Sequence, residues 1–175
     1  MVSYKLTDFM EAKMVKRKLT CILACVSAIT LLAGCGKGAD YDGYKKSVEK
    51  LYEDVVSADA KINNIDYTSN SSKDEFFGTL DKLKSSLEEF AEVDAPKEFD
   101  DCEYLAGEAV KYITSAEDDF HKALDNDFDE ISYNNGVSNY NEMVKCVNYI
   151  GDVLQKKPVD QTDVSSDEDV VLDSE

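Results

Sequence analysis

His121 is the only histidine in the chain, with Glu117 four residues and Asp118 three residues before it. A helix through this segment sets a carboxylate and an imidazole on adjacent turns, a geometry that can hold a metal. A two-metal helical centre needs that motif twice, and no second histidine exists to supply it. A solvated helix face accounts for the same residues. Asp125, Asp127 and Asp129 are spaced like the opening of a calcium loop. The pattern then fails, because Glu130 stands where the turn needs glycine and Gly136 where the closing glutamate belongs. Helix capping explains these aspartates better. No serine lies in a glycine elbow, and so many acidic residues make chance carboxylate pairs inevitable. The sequence therefore points to no catalytic residue, no metal ligand and no cofactor.

Ten tyrosines and no tryptophan leave one further chemistry, the stacking of phenol rings on sugars or peptides. Tyr41, Tyr44, Tyr133 and Tyr140 fall on apolar stripes and read as core. Tyr52, Tyr67, Tyr104 and Tyr149 fall off them, and are the candidates for exposed recognition residues.

The most specific pattern lies near the amino terminus. Met14-Val15-Lys16-Arg17-Lys18 is a basic segment, Leu19 to Leu32 is apolar or small throughout, and the run closes on Leu32-Ala33-Gly34-Cys35. The apolar stretch has the length of an export signal and is too short to span a bilayer comfortably. This closing tetrapeptide resembles the lipobox of bacterial lipoproteins. The resemblance, which covers Met14 to about Gly38, implies diacylglyceryl transfer to the Cys35 thiol and cleavage between Gly34 and Cys35. It further implies acylation of the new amino terminus. Two or more acyl chains give durable attachment where one is marginal. Residues 1–34 are thus expected to be a signal peptide whose start is Met14. Residues 35–39 become a lipidated cysteine with a short spacer.

The chain carries 19 basic and 37 acidic residues; residues 1–34 hold five and two of them, leaving 14 against 35, a net −21. Such a charge excludes nucleic acid as a partner, because phosphate binding needs the opposite sign.

The elements that would position any site follow from hydrophobic spacing. Tyr41, Tyr44, Val48, Leu51, Val55, Ala58, Ile62 and Ile65 alternate three and four apart, one face of a helix of about seven turns. Asp66 to Ser72 reads as a loop, with Ser72 and Glu75 forming a capping box. Phe76, Leu80, Leu83, Leu87 and Phe90 form a second stripe. Pro96 marks a third start, suited to a first helical turn. Phe99, Cys102, Ala106, Ala109, Ile113, Ala116, Phe120 and Ala123 follow, their alanines predicting close approach of a neighbouring helix.

Asp127 is expected to cap a fourth helix running through Tyr133, Val137, Tyr140, Val144, Val147 and Leu154 to an end at Lys156-Lys157-Pro158. Asn134-Asn135-Gly136 favours a turn, with tight packing over Gly136 as the alternative. Residues 158–175 contain seven acidic and no basic residues and read as a disordered tail.

Four amphipathic helices over residues 40–157 predict an all-α, antiparallel up-down-up-down four-helix bundle. That arrangement resembles small helical lipoproteins of Gram-positive bacteria, many without assigned function, and carries no functional residues across. With Cys21 and Cys25 in the signal and Cys35 acylated, Cys102 and Cys146 are the remaining thiols. Folding back about residues 126 and 127 offsets them by about five residues, roughly 7 Å along the axis, which predicts two free thiols.

The combined expectation is a lipid-anchored extracytoplasmic binding module, its partner the membrane through the anchor and another envelope protein or a small ligand. The alternative is a cation-binding or cell-wall-associated protein, which needs converging carboxylates. An envelope hydrolase, the third reading, needs a pocket holding a carboxyl of raised pKa.

Overall fold

The computed structural model describes residues 39–125 and 127–155. The export segment with Gly34 and Cys35, the end expected at Lys156-Lys157-Pro158, and the acidic tail lie outside these described residues. Among the described residues the chain is all-helical. The helices are α1 (Ala39–Asn64), α2 (Ser72–Ala91), α3 (Asp100–Leu124) and α4 (Glu130–Leu154), and a short 3-10 turn (Lys97–Phe99) precedes α3. They enclose one continuous hydrophobic core, an arrangement compatible with a helical bundle. No helix among the described residues is long and apolar enough to cross a membrane.

The first three stripes are the core faces of their helices. From Tyr44 to Ile62 every stripe position of α1 is buried, and so is every one from Phe76 to Phe90 in α2 and from Phe99 to Ala123 into α3; Tyr41 and Ile65 are half-buried at the ends. Removing one such leucine costs about 2 to 5 kcal/mol through lost transfer energy and the cavity left behind. In α4 the arc is wider than one stripe. Met143, Cys146 and Ile150 are fully buried beside Tyr140 and Val147, while Val137 and Val144 are only half-buried. α4 packs most extensively on α3 and also meets α1, so it buries two adjoining faces.

The alanines of α3 do mark close packing. Ala109, Ala116 and Ala123 have no exposed surface, and Gly136 of α4 sits on the Phe120 ring, where a β-carbon would lie 2.9 Å from its edge carbons. α4 accordingly runs unbroken through Asn134-Asn135-Gly136: packing over the glycine, and not a turn, explains it.

The helix starts differ from expectation in three places. The residue before α2 is Ser71, not Ser72; its hydroxyl donates to Glu75 Oε1 at 2.6 Å, and Ser72 is buried in the first turn. Pro96 precedes the third helical segment instead of entering it. Its ψ of 142° is extended, and its carbonyl accepts from Phe99 N at 2.7 Å to close the 3-10 turn. Asp129, not Asp127, caps α4. Its carboxylate accepts from Ile131 N at 2.9 Å and from the Ser132 hydroxyl at 2.7 Å. The extended backbone of Asp129, φ −102° and ψ 108°, aims its side chain at the orphan amides, as capping requires. α4 ends at Leu154, with Gln155 as its C-cap.

Candidate functional site

The four off-stripe tyrosines stand on four different parts of the fold and have four different environments. Tyr52 is a correction to the sequence reading: it is 8% exposed, and its hydroxyl donates to the Val147 carbonyl at 2.8 Å, with the Asn148 carbonyl at 3.3 Å. It lies on the flank of α1 that α4 covers, a second buried face that one-stripe periodicity does not reveal. Tyr67, in the loop before α2, is half-buried and donates to the Ile62 carbonyl at 2.9 Å. Burial, with Tyr133 nearby, pushes its phenol up to about 12. Tyr149 is half-buried against the core. Tyr104 alone of the four is mainly exposed, at 55%.

His121 is held by a different carboxylate from those in the expected motif. Its Nδ1 lies 3.0 Å from Asp125 Oδ2, one turn onward, and its ring stacks on Phe77 of α2 with centroids 3.9 Å apart. Asp125 Oδ1 also pairs with Lys73 Nζ at 2.7 Å, and that ammonium donates to the Leu124 carbonyl at 3.0 Å. These contacts pin the start of α2 to the end of α3. The hydrogen bonds from Lys73 and His121 hold the Asp125 carboxyl below the ordinary range. Asp129 is likewise lowered by Ser132 and the Ile131 amide, which leaves capping as its role. Among the described residues no three His, Cys, Asp or Glu side chains are grouped so as to hold a metal ion.

Glu117, one turn before His121 on α3, also faces α2. It is 9% exposed and accepts from Lys84 Nζ at 2.9 Å. Burial raises its carboxyl, helped by the Asp81 carboxyl and opposed by Lys84. A raised carboxyl is what the hydrolase reading asked for, but this one is bound to a lysine as an interhelical tie. Asp59 is the corresponding buried acid of α1, accepting from the Tyr140 hydroxyl of α4 at 2.7 Å. Cys102 and Cys146 are both buried and free. Burial raises their thiols to about 11 and about 12.

A groove of about 110 Å³ opens between α1 and the end of α2. Leu51 and Phe90, at 2% and 5% exposure, form its floor with half-buried Val93. Lys50, Asp54 and Glu89 supply its charges. Lys50 Nζ crosses from α1 to Glu89 Oε2 of α2 at 3.0 Å, with both side chains more than 60% exposed. That hydrogen bond raises the Lys50 ammonium, and Asp54 adds to it. Sites for whole small molecules run to about 300 to 1,000 Å³, so this groove has room for one side chain and not for a free ligand of ordinary size. Sequence reasoning missed it, because its charged residues look like any solvated helix face.

No family model, no curated protein and no solved structure matches this chain.

Proposed function

We propose that the chain is a bacterial lipoprotein, cut between Gly34 and Cys35 and held by acyl chains on Cys35 at the extracytoplasmic face of a membrane. Its helical domain acts there by binding another envelope protein. The observation that carries this reading is the sequence from Met14 to Cys35: a basic segment, an apolar run of signal length and the tetrapeptide Leu32-Ala33-Gly34-Cys35. Binding is favoured over catalysis by the engagement of the chemically versatile groups in structural ties. His121 is stacked and bonded, Glu117 is paired with Lys84, and Asp129 caps a helix.

The helices are arranged up-down-up-down in this reading. Support comes from contacts that step forward along one helix as they step back along the next: Tyr44 with Phe90 and then Lys50 with Glu89, Phe76 with Phe120 and then Lys84 with Glu117, Asp119 with Asn139 and then Phe120 with Tyr133. α1 meets α4 in the same sense, Tyr52 with Val147 and Asp59 with Tyr140.

Labelled palmitate fed to expressing cells should enter the wild-type chain and not Cys35→Ser. Protease added to intact, wall-stripped cells should digest the helical domain. Equal labelling of both chains, or full protection from protease, contradicts the proposal.

A further inference from the structure

We infer that the groove between α1 and α2 is a socket for one basic side chain, a lysine or arginine, presented by the partner protein. The inference deepens the binding role proposed above and is independent of the anchor. Three observations converge on it. Its volume, about 110 Å³, is roughly that of three or four water-sized groups at about 30 Å³ each, the bulk of one aliphatic stem. Its apolar lining is half-buried Val93 over the buried Leu51 and Phe90, a small patch on which a methylene stem can lie. Its charges are one ammonium against two carboxylates, in a chain of net charge −18, so both the local balance and the wider field favour a cation.

Lys50 shows what the socket accepts. Its ammonium already sits 3.0 Å from Glu89 Oε2, and both residues line the groove. An incoming side chain entering end-on lays its stem on the floor and exchanges its own cation for that of Lys50. The exchange costs little, because exposed ion pairs are worth little. Lys50 is thus a competitor for Glu89, and removing it should strengthen binding, the opposite of what removing an ordinary contact residue does.

The test uses the full chain, isotope-labelled and held in detergent. Lysine blocked at both backbone ends is titrated in while backbone amide resonances are followed. Norleucine blocked in the same way supplies the stem without charge, and 1,4-diaminobutane supplies a free amine. Blocked lysine should shift resonances within residues 47–54 and 86–93 saturably, and more tightly than either control. Glu89→Gln and Asp54→Asn should each weaken it by about threefold or more, and Lys50→Gln should tighten it by about the same factor, the scale of an exposed pair. Tighter binding of the diamine makes the occupant a small amine and overturns the protein side chain. Shifts spread over the acidic surface and alike in all variants, or weaker binding to Lys50→Gln, overturn the socket. Cys35 takes no part in this experiment, so a chain that binds lysine but carries no lipid loses the anchor and keeps the socket. A lipidated chain that binds no lysine does the reverse.

Discussion

The Tyr52 hydroxyl occupies the space into which a side chain at residue 151 would grow. A β-carbon built on Gly151 would overlap that hydroxyl and meet the ring's Cζ at 3.0 Å. This contact and the 2.8 Å bond from Tyr52 to the Val147 carbonyl seat α1 on α4. Gly151→Ala should therefore destabilise the fold by about 2 kcal/mol, because overpacking of a buried contact outweighs the helix propensity gained. Tyr52→Phe alone should cost about 1 kcal/mol for its lost hydrogen bond. In the double variant the costs should be less than additive, since removing the hydroxyl frees most of the space. Urea unfolding of the four chains measures the coupling, and strict additivity contradicts this geometry.

Gly136 and Gly107 should respond to alanine with opposite signs. At Gly136 the new β-carbon meets the Phe120 ring at 2.9 Å, and that ring is fixed between Phe76 and Tyr133 at 5.0 and 5.6 Å between centroids. The strain of displacing it, about 1 to 3 kcal/mol, exceeds the roughly 1 kcal/mol that alanine gains in a helix interior. At Gly107 nothing lies within 4 Å, so only the gain remains and the melting temperature should rise.

These two glycines also show what was legible in the sequence and what was not. Three stripes could be read directly, because each of those helices buries a dominant face and a single 3.6-residue period describes it. In α4 the fully buried Met143, Cys146 and Ile150 widen the arc beyond one stripe, and on α1 Tyr52 serves a second neighbour. Period alone cannot say which flank a neighbour will cover. Asn135-Gly136 favours a turn locally, yet the chain stays helical because Phe120 needs the missing side chain's space. The starts of α2 and α4 shifted by one or two residues for local reasons: the extended backbone of Asp129 aims its carboxylate at the Ile131 amide, whereas Ser71, with helical backbone, caps no amide and bonds the Glu75 side chain instead. The candidate groove was illegible, since it depends on which exposed residues of α1 and α2 face each other.

Stability should pass through a maximum in mildly acidic solution. Glu117 is raised above its ordinary 4.5, so the folded state holds that proton to higher pH than the unfolded state does. Its contribution is therefore gained as pH falls through the folded pKa toward 4.5. Asp125 and Asp129 lie below their ordinary 3.8. Their contribution is present above 3.8 and is lost as pH falls through their folded pKa values. Urea midpoints measured against pH should rise from neutrality toward about 5 and fall below about 4. Glu117→Gln should flatten the first limb, and Asp129→Asn the second. An unchanged profile in both contradicts these assignments.

Cys102 and Cys146 should resist alkylation while the chain is folded. Each has no exposed surface, and thiols raised to about 11 and about 12 hold almost no thiolate at pH 7. Mass spectrometry after maleimide treatment should find both unmodified in buffer and both modified in denaturant. A pair that resists reagent in denaturant until reduced would mean a disulfide, against the free thiols described here.

The intact mass of the chain extracted from membranes decides whether Cys35 is its anchor. The expected species is a polypeptide that begins at Cys35 and carries the added mass of a diacylglyceryl group, with or without a further acyl chain on its amino terminus. A chain that retains residues before Cys35, or that begins there without lipid, contradicts that anchor.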